Sequence, residues 1–266
     1  MTEFFATIDW ARIGASLSLV AAAGALGYWQ HAGLTGDLVM ATVRSFFQLI
    51  AIGYALELIF AKDSLFWTLM IIVVMLAVAA YTSAQRGKGI PHAMFITNAS
   101  IGVGAALTIG LLVGLRVFEF SPRYIIPIAG MVIGNSMTTC SLVMARLRDD
   151  VLAQRNQIET ALALGATGRQ AVTPTVRRAV RAAMIPIIDT TKTVGLIKLP
   201  GAMTGMILAG ASPMAAVQLQ IIVMYMLVGA TAFTGLAAAY LTARVFFSKA
   251  HQLMLPPGVQ QGADAA

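Results

Sequence analysis

Charge is scarce in this 266-residue chain. Only 11% of its residues are Asp, Glu, Lys or Arg, against 58% hydrophobic. Soluble domains carry roughly a quarter charged residues, so lipid is the expected solvent. Cysteine is nearly absent as well: Cys140 stands alone, which excludes an internal disulfide and leaves the redox compartment unread. Three histidines, His31, His92 and His251, are widely scattered. No G-x-x-x-x-G-K-[ST], H-E-x-x-H, paired-cysteine or G-x-S-x-G pattern occurs. "GATGRQ" has two glycines but lacks the lysine and hydroxyl that hold phosphate and magnesium. The chain is therefore expected to be no enzyme and to bind no cofactor of its own.

What is present is a series of apolar runs near 20 residues, each long enough to cross a bilayer as a helix. We read an all-α polytopic membrane protein with seven spans. They lie at about Trp10–Trp29, Leu38–Phe60, Leu65–Ala84, Met94–Phe118, Tyr124–Leu147, Ile185–Ala209 and Met214–Phe247. Residues 1–255 are expected to form one transmembrane domain and 256–266, "PGVQQGADAA" with its preceding proline, a flexible tail. The opening "MTEFFATIDWAR" is acidic, not basic, so the first span is expected to be retained.

Net charge is +7, and seven of the 18 Lys and Arg lie between Arg146 and Arg181. Nucleic acid is a poor fit as a partner for a chain that lies mostly in membrane, and none is expected; anionic headgroups or a cytosolic protein fit the cluster better. Arg44, Arg86, Lys88, the Arg146–Arg181 cluster, Arg244 and Lys249 share one side if there are seven spans. That side is the cytoplasm, which puts the N-terminus, with Glu3 and Asp9, outside and the C-terminus inside. Arg116 and Arg123 dissent mildly.

The segment 146–184 is then cytoplasmic. "RDDVLAQRNQIETALALGATGRQ" reads as a helix with Asp149 and Asp150 near its start and Gly165 at its stop. Ala161, Ala163 and Ala166 would let it pack closely in a groove, and Gly165 permits a left-handed terminating turn. Glu159 could meet a basic group on a partner, and Arg155 or Arg169 an acidic one. In "TVRRAVRAAMIP", Arg177, Arg178 and Arg181 oppose Val176, Val180 and Met184, an amphipathic interfacial helix with Pro186 marking entry to span six. The bland alternative is a solvated loop helix joining two spans.

Glu159, Ala161, Gly165 and Ala166 resemble the "EAA…GA" loop of ABC-transporter permeases. "GNSMTTCSLVMARL", "ETALALGAT", "VGLIKLPGAMTGMILAGASP" and "VQLQIIVMYML" are similar to the bacterial Fet-type iron-export permeases, and in turn to the plant STAR-type aluminium-tolerance membrane subunit. The resemblance implies a multi-pass permease of the bacterial inner membrane, paired with a second copy as a homodimer. It implies a separate ABC ATPase that binds ATP and magnesium and receives the coupling helix. It also implies export of metal ions, iron foremost, with a link to iron homeostasis and oxidative-stress resistance.

Polar groups within spans are costly and so are candidates for a substrate path. Span five offers Asn135, Ser136, Thr138 and Thr139, and a sulfur stripe of Met137, Cys140 and Met144. Two readings of the stripe stay open: soft metal ligands, or gap-filling between helices. Span six carries Asp189 and Lys192, three apart and able to pair, then Lys198, Pro200 and Gly201. Lys198 lies roughly 20 Å past Ile185 along a helix. It sits at the interface, beside a break at Leu199–Gly201 that faces a cavity, or against Glu57. The break is the preferred account. Asn98 and Glu57 are lesser candidates. An ion-driven secondary transporter using Asp189 and Lys192 without an ATPase is the alternative function, and a membrane enzyme acting on lipid a third.

Overall fold

The computed structural model describes residues 10–254, apart from Ala32, Leu34, Asp63, Glu119 and Lys249. Glu3, Asp9, Lys249 and the tail 256–266 thus lie outside the described residues. A chain in lipid must satisfy its backbone polar groups within each segment, and this one does so with helices. Among the described residues these are α1 (Trp10–Trp29), α2 (Thr35–Lys62), α3 (Leu65–Arg86), α4 (Ala93–Gly114), α5 (Pro122–Ala153), α6 (Arg155–Ala163), α7 (Gly168–Thr193), α8 (Gly201–Leu208) and α9 (Pro213–Val245). Five of them, α2, α3, α4, α5 and α9, are long and apolar enough to cross a membrane; the apolar part of α1, Gly14–Trp29, is shorter. The protein is all-helical and polytopic.

Contacts group the chain into two units, Met1–Asp63 and Ser64–Ala266. In the first, α1 and α2 form a helical hairpin. Thr35 Oγ1 donates to the Gly24 carbonyl at 3.3 Å, so the two helices meet where Gly24 offers no side chain. Phe47, Leu49 and Tyr54 on α2 are exposed, as expected of a lipid-facing helix.

The second unit packs α3, α4, α7 and α9 around α5. Lipid gives apolar helices little reason to associate, so close backbone approach and interhelical hydrogen bonds do that work. The hydroxyls supply both. Thr234 Oγ1 on α9 donates to Ser136 Oγ on α5 at 3.0 Å, Ser141 Oγ on α5 to Ser83 Oγ on α3 at 3.0 Å, and Thr97 Oγ1 on α4 to the Ala80 carbonyl at 3.0 Å. A side chain at Gly104 of α4 would collide with Thr234, so that glycine sets the α4–α9 distance. One end of this unit gathers positive charge: Arg148, in the last turns of α5, donates to the Lys88 carbonyl at 2.8 Å, joining the α3–α4 turn to the cluster that follows α5.

Four sequence expectations need correction. Asp149 and Asp150 do not start the helix expected after the fifth span. "RDDVLA" contains no breaker, so α5 runs on to Ala153, and the short helix α6 begins only at Arg155. Pro186 marks no boundary either: α7 continues through Pro174 and Pro186, each of which withholds an N–H from the carbonyl four residues back. The sixth span is not one helix over Ile185–Ala209. α7 stops at Thr193, where one carbonyl accepts from the amides of Leu196, Ile197 and Lys198, and Gly195 takes a left-handed turn at φ +83°. Pro200 then caps the short α8. Finally, Asp189 and Lys192 are both exposed and form no ion pair with each other.

Candidate functional site

The first candidate element is the elbow between α5 and α7. Its helix α6, "RNQIETALA", is anchored by Ile158, buried in the core of the second unit. The stop is a Schellman turn built by the sequence "ALALGA". The Ala166 amide donates to the Ala161 carbonyl and the Gly165 amide to the Leu162 carbonyl, both at 3.0 Å. Gly165 sits at φ +91°, the left-handed conformation that glycine adopts at least cost, with open space where a side chain would stand. Ala161 and Ala166 thus form the two ends of the turn.

Thr167 starts α7 at once. Its Oγ1 accepts from the Gln170 amide, and its own amide donates to Gln170 Oε1 at 2.9 Å, a reciprocal capping box. The base of the elbow is fixed from the side. Gln154, between α5 and α6, accepts through Oε1 from Arg178 and from Thr175 Oγ1 of α7. What this rigid frame presents outward is Leu164, 84% exposed, and the pair Arg155–Glu159, whose Nε–Oε1 distance is 2.8 Å. Glu159 and Arg155 satisfy each other in the free chain. Arg169 lies on the first turn of α7 and lines a separate cavity toward α9.

The second candidate element is a cavity of ≈ 370 Å³ lined by α5, α7, α9 and the break after α7. Its polar lining comprises Asn135, Thr138 and Thr139 of α5, Thr190 of α7, Lys198, and Gln220 and Thr231 of α9. Pro200 and Gly201 line it too, so the helix break borders this space. Asn135 already donates to the Met131 carbonyl at 2.9 Å, which leaves its amide oxygen unused by that bond. Gln220 is the residue the sequence reading passed over. It is 6% exposed, and its Oε1 has no hydrogen-bond partner among the described residues. An amide inside the apolar run "VQLQIIVMYML" is itself the signal that could have found it.

Other expected path residues are placed elsewhere. Along α5, Met131, Asn135, Thr138 and Leu142 share the cavity face, while Met137, Cys140 and Met144 fall on the opposite side. Cys140 and Met144 are fully buried, with their sulfurs 3.9 Å apart, and Met144 packs where Gly87 has no side chain. Ser136 is spent on the α5–α9 contact. Asp189 and Lys192 point to neither the cavity nor each other. Glu57 and Asn98 are exposed, Glu57 within the first unit. Among the described residues no three His, Cys, Asp or Glu side chains converge as a metal-ligand set.

Known proteins place these features in a family. The model of "Uncharacterised protein family (UPF0014)" matches residues 10–247. The "UPF0014 membrane protein STAR2" of rice, Oryza sativa subsp. japonica, is 50% identical over 239 residues, 90% of this chain and 84% of that protein. The "Protein ALUMINUM SENSITIVE 3" of Arabidopsis thaliana is 45% identical over 259 residues, 94% of this chain and 95% of its own. The "Probable iron export permease protein FetB" of Escherichia coli (strain K12) is 38% identical over 240 residues, 90% and 93% of the two chains. No solved structure matches. With a family match that spans α1 to the end of α9 and relatives that cover nearly the whole chain, this protein belongs to the UPF0014 family of membrane proteins.

Proposed function

We propose that the chain is the membrane-spanning permease subunit of an ABC transporter that exports metal ions, iron foremost, on ATP hydrolysed by a separate subunit. The observation that carries this reading is the elbow. A nine-residue helix, closed by a Schellman turn and pinned through Gln154, holds Leu164 and the Arg155–Glu159 pair out from the bundle. An ordered, exposed, apolar-tipped helix suits a groove on a partner protein better than it suits water. The relative named as a probable iron export permease supports the substrate.

In this reading ATP and magnesium bind the partner ATPase, and two copies of the chain sit side by side in the bacterial inner membrane. Engagement of Leu164 and Ala161 by the ATPase moves α6, and the Gln154 tether passes that motion to α7. The ≈ 370 Å³ cavity is the substrate path, with the Gln220 and Asn135 oxygens and the threonine hydroxyls replacing part of a metal's hydration. Removal of iron limits peroxide damage, which links the protein to oxidative-stress resistance. Purification of the tagged chain in mild detergent, with mass spectrometry of what accompanies it, tests the proposal. A partner with a phosphate-binding loop, lost on Gly165→Arg, is the expected result. A chain that purifies alone and moves ions under a proton gradient would overturn it.

A further inference from the structure

A larger cavity, ≈ 780 Å³, lies between the first turns of α7 and the last turns of α9, remote from the polar cavity. Three arginines line it: Arg169 and Arg177 from α7, and Arg244 from α9. No acidic side chain lines it, and none of the three makes an ion pair among the described residues. Arg169 and Arg177 are eight residues apart, roughly 12 Å along the helix, so the positive charge extends along the groove. The remaining wall is largely aliphatic, from Val172, Val176 and Ala239. Leu236 and Tyr240 continue that wall, and with Phe233 they form an exposed apolar track on α9 at spacings of three and four.

We infer that this groove binds an anionic glycerophospholipid, its phosphate among Arg169, Arg177 and Arg244 and an acyl chain along Leu236 and Phe233. The argument is one of complementarity. Three unpaired cations at one end of a bundle, opening onto apolar surface, match a molecule that is anionic at one end and hydrocarbon at the other. A small anion would use the arginines and leave the apolar track bare. A zwitterionic lipid would fill the track and leave net positive charge in the groove. The groove also adjoins the elbow: Gly168 donates to His251 Nδ1 at 3.4 Å, and the Phe247 ring occupies the space where a Gly168 side chain would be. A lipid seated here would brace the contact between the start of α7 and the end of α9.

The test uses the full-length chain in detergent, titrated with dioleoylphosphatidylglycerol, dioleoylphosphatidylcholine or inorganic phosphate, with bound molecules counted by native mass spectrometry. The anionic lipid should bind, and Arg177→Gln and Arg244→Gln should each weaken it roughly five-fold. A triple variant that adds Arg169→Gln should abolish it, while the pair Arg86→Gln and Arg123→Gln should leave it unchanged. The single variants report even if the triple fails to fold. Equal binding of phosphatidylcholine, competition by inorganic phosphate at matched concentration, or equal losses in the Arg86/Arg123 control would each overturn the assignment. A groove reserved for a protein segment would show the first of these patterns or no lipid at all. ATP hydrolysis enters none of these readouts, so the result stands apart from the permease reading.

Discussion

Arg178 of α7 donates to Gln154 Oε1 at the α5–α6 junction, and Thr175 of α7 donates to the same oxygen. One amide thus ties the base of the elbow to the helix that follows it. Arg178→Ala should leave the fold intact, because the arginine is exposed and such a bond contributes about 1 kcal/mol. It should nonetheless lower partner-coupled ATP hydrolysis several-fold. Thermal unfolding and ATPase assay of the complex, run side by side, check it; equal activity would remove the tether from the coupling route.

Gly165 gives a second prediction. Open space surrounds its missing side chain, so only the left-handed backbone at φ +91° restricts substitution. Gly165→Asn, which tolerates that conformation, should keep most of the partner docking. Gly165→Val should cost about 1–2 kcal/mol locally and lose it. Co-purification of the ATPase with each variant decides the point.

Gln220 should show opposite effects on stability and on transport. A buried acceptor left without a partner costs about 1–3 kcal/mol, so Gln220→Leu should raise the melting temperature. On the proposed function, the same change removes a polar amide from the cavity wall and should reduce metal export. A variant that is more stable and exports at the normal rate would make Gln220 a packing residue.

The sulfur stripe is predicted to be dispensable. Cys140 and Met144 face away from the polar cavity and are fully buried. Cys140→Ala with Met144→Leu should cost no more than about 1–2 kcal/mol and leave export near normal. Export lost in a variant that still folds would restore sulfur ligation.

At Gly104 the prediction is purely structural. Any side chain there meets Thr234, so Gly104→Ala should destabilise the second unit by about 1–3 kcal/mol. Thr234→Ala should recover part of that loss by making room. Detergent melting curves of the single and double variants measure the coupling.

Much of this was readable from periodicity. The spans at Trp10–Trp29, Leu65–Ala84 and Met214–Phe247 fall within a few residues of α1, α3 and α9, because long apolar runs bounded by polar turns leave little choice. The terminating turn at Gly165 was legible for a local reason: glycine is cheap at positive φ. What could not be read was tertiary. Pro186 looked like a boundary, yet α7 continues through it, packed against α5 and α9, which outweighs one missing hydrogen bond. Its buried stripe is Val172, Thr175, Ala179, Ala183 and Ile187, one position off the expected Val176, Val180 and Met184, because arginine side chains do not reveal which neighbour a helix faces. Asp189 and Lys192 have the spacing to pair, but spacing alone does not draw two exposed side chains together.

The unbroken course of α7 makes it a lever. Its first residues touch the capping box and the Phe247 ring, and its later ones, Ala183, Pro186, Ile187 and Thr190, form a wall of the polar cavity. The lever arm between those two sets is roughly 25–30 Å, at 1.5 Å per residue. With Phe247 as fulcrum, a rotation of about 4° would shift the far wall by about 2 Å over that length, comparable with the radius of a hydrated ion's inner shell. On the proposed transport cycle, a small stroke at the elbow is geared up at the cavity, with no hinge between them required.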